Sequence, residues 1–204
     1  MTRTLSAFAV IAVLLGTPAA QAFDPEDVDK LFATNSCVLC DLRGADLSHT
    51  DLRDADLSHA DLRDANLAHA NLQRAIFALA LLIRTDLTDA DMTEAYLEES
   101  ILHFADLTDA NLTNATLSRA DMSFANFTGA DLHGAELLFA NLTNARMPGA
   151  NLTGANLSRA LLTFADLRGA DLTGADLSGA RLCTIMPDGH VDSSGCRAAG
   201  SGFR

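Results

Sequence analysis

The chain has 204 residues, 49% of them apolar, with one Tyr, no Trp and a formal net charge of −13. That length and apolar share suffice for one domain around a single core. The acidic balance argues against direct nucleic-acid binding, because phosphate contacts demand the opposite sign.

Met1-Thr2-Arg3 precedes an apolar run from Leu5 to Leu15 and then Ala20-Gln21-Ala22. A basic start, a short apolar stretch and an A-x-A end predict a cleavable secretory signal over 1–22, cut after Ala22. The run is too short to span a bilayer as a stable anchor, so no membrane span is expected after cleavage. Removing the signal takes Arg3 with it and leaves 13 Lys and Arg against 27 Asp and Glu, a net charge of −14. An exported chain, periplasmic or secreted, is expected.

Segment 23–39 opens with Asp24-Pro25-Glu26-Asp27, an N-cap followed by an acidic first turn, and predicts a short helix. Val28, Leu31 and Phe32 fall at i, i+3 and i+4 and form one apolar stripe.

From 40 to 182 a large apolar residue returns at every fifth position, from Leu42 to Leu182, with Phe77, Met92, Phe127 and Met147 among the few replacements. Two residues earlier stands alanine, except at Cys40, Thr50, Thr85 and Ser100, which are also small. A period of five suits neither regular element. On a helix successive leucines would step about 140° around the axis, and on a strand they would alternate faces. The chain must therefore turn once per repeat, so that each leucine and its small neighbour point into one interior, which is a solenoid.

Segments such as Ala45-Asp46-Leu47-Ser48-His49 and Ala170-Asp171-Leu172-Thr173-Gly174 resemble the A-(D/N)-L-x-x unit of pentapeptide-repeat proteins. The resemblance implies an all-β fold, a right-handed four-sided parallel β-helix in which four pentads make one coil. The pentads of 40–182 then give about seven coils, roughly 34 Å of stack. Such a stack exposes an unpaired edge at each end, so the helix of 23–39 is expected to act as an N-terminal cap. Segment 183–204, with the turn signal Met186-Pro187-Asp188-Gly189, is expected to form a C-terminal cap and tail. Its bracketing cysteines resemble the caps of exported family members.

Cys37 and Cys40 stand just before the repeats, and Cys183 and Cys196 just after them. In an exported chain they predict two disulfides, which could pair in three ways. Cys37 with Cys40 and Cys183 with Cys196 is the expected connectivity, because a rigid stack holds its ends about 30 Å apart, beyond the ~7 Å limit for bridged Cα atoms. Cys37-Val38-Leu39-Cys40 also has the spacing of a redox or zinc motif, but zinc would need two further ligands and no others are evident in the sequence.

The residue before each leucine is mostly Asp or Asn and is expected to face water. Residues twenty apart should stack, giving one column of Asp51, Asn71, Asp91, Asn111, Asp131, Asn151 and Asp171, in which asparagine separates like charges. His49 and His69 fall in one column with Asp89 next above, but His59 lies on another side and no metal site is expected. No nucleophile elbow, P-loop, H-E-x-x-H or dinucleotide fingerprint occurs, so neither catalysis nor a cofactor is expected.

The centre departs most from the repeat. From Ala75 to Ile83 outward positions turn apolar while the inward register holds. Leu81, Ile83, Ile101, Phe104, Phe124, Leu161 and Phe164 should share one side, interrupted by Asn144, and predict an interface with a protein partner or a second copy. The expected function is therefore an exported, non-enzymatic interaction scaffold. The alternative resembles the topoisomerase-inhibiting members of the family, acidic rods shaped like duplex DNA, and would need a cytoplasmic chain.

Overall fold

The computed structural model describes residues 23–192. The predicted signal over 1–22 and the tail from 193, including Cys196, lie outside the described residues.

Helix α1 spans Pro25–Thr34. Asp24 caps it by accepting the Glu26 N–H at 3.0 Å, and Asn35 ends it in the left-handed conformation at φ 55 with its N–H bonded to Leu31 O. Leu31 is fully buried and Val28 packs partly against the core, but Phe32 remains 51% exposed. The predicted three-residue stripe is thus two residues wide. Asp27 seats the helix by accepting the Asp41 N–H at 2.8 Å, and the Asp24 N–H reaches Asp41 O at 3.0 Å.

After the helix, isolated parallel bridges at every fifth residue join residues twenty apart: Asp41 to Asp61, Asp46 to Asn66, Asp51 to Asn71 and Asp56 to Ile76, and so on up the chain. The pentads therefore stack in four columns, named here after Asp41, Asp46, Asp51 and Asp56. This is a β-helix solenoid. Near the end the bridges lengthen into β1 (Leu161–Asp166) and β2 (Arg181–Ile185), which pair in parallel, and β3 (Val191–Asp192) returns antiparallel on β2.

One pentad shows why five residues close a unit. In 61–65, the Asp61 N–H bonds back to Cys40 O at 2.8 Å, the Leu62 N–H forward to Leu81 O at 2.8 Å, and the Asp64 N–H forward to Ile83 O at 3.0 Å. The Ala65 N–H closes the turn on Leu62 O at 3.0 Å. Only the Arg63 N–H is left by the backbone, and the Asp61 carboxylate accepts it at 3.3 Å. The same bond joins Ser48 to Asp46, Thr93 to Asp91 and Thr153 to Asn151. Asp and Asn before the leucine are thus turn acceptors, more than the solvated face the sequence suggests. Asparagine adds a rung, since the side-chain amides of Asn126, Asn141 and Asn151 donate to Asp106, Asp121 and Asp131 one coil below, at 3.1, 3.0 and 2.9 Å.

The interior follows the period. The leucine and alanine positions up to Leu167 are essentially inaccessible, with Phe77 and Phe127 the largest side chains enclosed. The inward hydroxyls of Thr85 and Ser100 donate to Leu62 O and Leu97 O at 2.8 and 2.7 Å, so neither is left unsatisfied. Beyond that point Leu172, Ala175, Leu177 and Ala180 are only partly buried.

Ala120 is fully buried in the coil interior. Ala120→Leu is expected to overpack the stack and cost about 1 to 3 kcal/mol, read as a lowered urea midpoint, because a close-packed interior cannot absorb three further carbons. An unchanged midpoint would place Ala120 outside the core.

Candidate interaction surface

Each pentad places its fourth residue in the left-handed region, from Gly44 at φ 66 to Gly179 at φ 70. Glycine is at ease there, Asn and Asp tolerate it, and a bulky residue is strained by about 1 kcal/mol or more. The Asp41 column nevertheless puts phenylalanine in that place three times, at Phe104, Phe124 and Phe164, with φ of 59, 61 and 61. The same column replaces the turn acceptor with Leu81, Ile101 and Leu161. It therefore forgoes, in these pentads, two local stabilisers that the Asp51 column keeps almost throughout.

All seven residues expected on one side do share this column. Phe104, Phe124 and Phe164 are 52%, 45% and 66% exposed. Leu81, Ile83, Ile101 and Leu161 are only half-buried and form the floor between them. The Phe104 and Phe124 rings stack at 5.0 Å, and the His103 ring meets both edge-on at 4.3 and 5.4 Å. Asn144 separates this cluster from Phe164.

The structure adds neighbours that the sequence reading missed. Leu79, Tyr96 and Phe139 are exposed in the adjoining Asp56 column, so the apolar surface turns a corner. The signal was present in Ile76 and Leu79, within the apolar run at 75–83. Phe139 also carries the Arg159 guanidinium 5.2 Å over its ring.

His103, Ser123 and Asp121 adjoin the aromatic pair. The Ser123 hydroxyl donates to Asp121 at 2.6 Å, so its oxygen is left to accept from His103 Nδ1 at 2.8 Å. A hydrolytic triad has the imidazole between acid and nucleophile. Here the hydroxyl is in the middle and gives its proton to the acid, so this chain orients His103 against the phenylalanines.

His49 and His69 stack as expected, with ring centroids 4.8 Å apart and planes 8° from parallel, and Asp89 lies 3.7 Å from His69. Face-to-face rings cannot aim two lone pairs at one ion between them, so the column is not a chelating arrangement. Cys37 and Cys40 form a disulfide with a Cα separation of 5.2 Å, the pairing expected from the distance between the two ends of the stack. The expected partner of Cys183, Cys196, lies outside the described residues; Cys183 is not a free thiol.

Arginines clamp the acidic columns near the N-terminal end. Arg43 grips Asp41 at 2.7 and 2.6 Å, and Arg53 grips Asp51 at 2.8 and 2.7 Å, each within one pentad. Arg74 reaches Asp54, and Arg84 reaches Asp64, one coil below. The side-chain hydrogen bond from each arginine holds Asp41, Asp51, Asp54 and Asp64 below the usual carboxylate range. A folded value lower than the unfolded one means stability that is present above about pH 3.9 and lost as pH falls through the folded value. The stability deficit of Arg53→Gln relative to wild type should therefore be present at pH 7 and disappear only as pH falls through the lowered Asp51 value, below ~3.9, measured by urea unfolding at pH 7 and across the acid range. A deficit that persists in acid would show that Arg53 acts through packing.

A family model described as "Pentapeptide repeats" matches residues 40–78, 75–114, 110–149 and 150–183. No curated protein matches the chain by sequence. Among solved structures, the chain is similar to HetL, a pentapeptide repeat protein involved in heterocyst differentiation regulation from the cyanobacterium Nostoc sp. strain PCC 7120. The identity is 30% over 81% of this chain and 98% of that one, with a TM-score of 0.27. It is also similar to a pentapeptide repeat protein, Rfr23, from the cyanobacterium Cyanothece 51142, at 25% identity over 79% and 95% of the two chains and a TM-score of 0.37. A third is a pentapeptide repeat protein from the Arabidopsis thaliana thylakoid lumen, at 30% identity over 58% and 68%, with a TM-score of 0.33.

Proposed function

The chain belongs to the pentapeptide-repeat family, and from that premise we propose that it is an exported, non-enzymatic scaffold that binds protein through its Asp41 column. In this reading the solenoid is right-handed and four-sided with about seven coils, 23–39 caps its first coil and 183–204 its last. The segment 1–22 is removed on export to the periplasm or beyond, and no nucleic acid is bound directly. Among the described residues no helix is long and apolar enough to cross a membrane.

The observation that carries the proposal is the placement of Phe104, Phe124 and Phe164 in strained left-handed positions with their rings exposed. Core packing does not ask for them, and glycine would serve the turn better. Exposed apolar surface kept at a conformational cost marks a contact surface.

Charge favours a second copy as the partner. In the Asp41 column the acids Asp41, Asp61, Asp64 and Asp121 are matched in number by Arg43, Arg63, Arg84 and Arg181. The Asp46, Asp51 and Asp56 columns carry six, six and five acids against two arginines each. A chain of net charge −13 repels its own copy everywhere except along the neutral side, which is also the apolar one. An isologous pair would bury that side against itself. A face about 34 Å long and about 10 Å wide offers about 340 Å² per copy, less than half the ~800 Å² per partner of a standard interface, so only a weak, transient pair is expected.

Phe104→Ser with Phe124→Ser should convert a concentration-dependent dimer to monomer, followed by sedimentation at 1 to 100 micromolar (about the range a weak pair needs), without lowering the melting temperature. Thr143→Asp, on the neutral side, should also weaken the pair, whereas Thr113→Asp, in an acidic column, should not. A wild type that stays monomeric throughout rejects self-pairing and leaves a foreign protein as the partner.

The net charge also fits the acidic rod that mimics duplex DNA. Compartment separates the two readings. Fractionation of the tagged chain with N-terminal sequencing is expected to find a product beginning at Phe23 outside the cytoplasm. An uncleaved cytoplasmic chain would overturn export and favour the mimic.

A further inference from the structure

The N-terminal cap brings together three side chains that the sequence keeps apart. Oxygen of the Asp27 carboxylate and the sulfurs of Cys37 and Cys40 all lie within 4.8 Å of one another. Asp27 comes from α1, ten residues before Cys37, and so escapes a search for ligands near the C-x-x-C motif. The two sulfurs are buried, while Asp27 is half-buried and opens to solvent. Lys30, on the same helix, places its ammonium 3.6 Å from Cys40 Sγ.

We infer that this cluster is a two-state clasp, a disulfide when oxidised and a site for zinc or a similar divalent ion when reduced. Reduction by a dithiol breaks the S–S bond. Two electrons and two protons convert it to two thiols, and the reductant leaves as its own disulfide. Zinc then displaces both thiol protons and binds two thiolates and one carboxylate oxygen. The newly made chain carries the two thiols before any oxidation, so the ion can enter as α1 docks.

The chemistry fits the residues. C-x-x-C is a common zinc-chelating spacing, and Zn–S bonds of 2.3 Å set tetrahedral sulfurs about 3.8 Å apart. Separation of the reduced sulfurs to that distance keeps them within the span the three ligands already occupy. The Asp27 Oδ2 that accepts the Asp41 N–H fixes the carboxylate, which leaves Oδ1 for the ion, a second-shell arrangement that orients a ligand. Two thiolates and a carboxylate around a divalent ion leave one negative charge, and the Lys30 ammonium offsets it. Three protein ligands leave a fourth position for water on the Asp27 side. In both states one covalent or coordinate tie holds the start of the first coil, and in the metal state it also holds α1.

Cobalt(II) is the probe. The full chain carrying Cys183→Ser and Cys196→Ser, reduced and kept without oxygen, should take up one equivalent and show thiolate-to-cobalt charge-transfer absorption with the visible bands of a tetrahedral ion. Zinc should abolish both. The oxidised chain should show neither. Asp27→Asn keeps an acceptor for the Asp41 N–H, and should weaken cobalt binding at least about tenfold while leaving the oxidised chain's melting unchanged. Cys37→Ser should remove the charge-transfer band. Absence of absorption in the reduced chain, or equal affinity with Asp27→Asn, overturns the three-ligand site.

Discussion

The structure rests on where one backbone N–H goes. A five-residue unit that turns once and pairs with the coils on both sides uses four of its five N–H groups in backbone bonds. In the pentad 61–65 the remaining one, on Arg63, finds the Asp61 carboxylate. Leaving a half-buried amide without an acceptor costs free energy, so the turn itself favours Asp or Asn before the leucine. The left-handed fourth residue is the other half of the constraint, since it reverses the chain fast enough to bring the next leucine inward. Leucine and alanine then fill a channel of constant width, and each coil becomes the template for the next.

Departures from this pattern are therefore informative. A pentad can lose its acceptor or its small fourth residue and still stack, because the neighbouring coils hold it. It does so at a local cost. The Asp46 and Asp51 columns keep the acceptor in every pentad through 171–175 except the one that opens with Arg146. The adjoining Asp56 column combines both departures at Ile76 and Leu79 and loses the acceptor again at Tyr96. In the Asp41 column both kinds of departure occur together at coils carrying Leu81, Ile101, Phe104 and Leu161. Their shared direction, the exposed rings and the balance of Asp and Arg all bear on one surface, and that coincidence ties the fold to the proposed contact.

The two ends differ in how they are closed. At the N-terminal end α1 buries Leu31 in the core cluster, and its Asp27 and Lys30 meet Cys37 and Cys40. At the other end the described residues leave Leu172 and Leu177 partly exposed. End repeats have a neighbour on one side only, so the chemistry of the chain is concentrated where the stack stops, in cysteines and a charged helix, while its middle consists of packing and turn bonds.

Much of this was legible in the sequence. The unbroken fifth-residue register determined the solenoid and the inward set, because a period that fits neither helix nor strand admits few arrangements, while the twenty-residue stacking was implied by the resemblance to pentapeptide-repeat proteins. That stacking placed Phe124 above Phe104 and His69 above His49, and local capping signals placed the start of α1 at Asp24 and Pro25. Tertiary structure decided what periodicity does not encode: which N–H the aspartates serve, how far Leu81 and Ile101 sink between coils, and that Phe32 faces out. It also decided that the apolar surface turns a corner to Leu79, Tyr96 and Phe139, and that Asp27 meets Cys37 and Cys40. Those facts depend on distances between residues from different coils, or from the helix and the first coil, and a repeat fixes its own neighbours in the stack but not the elements that fold back onto its end.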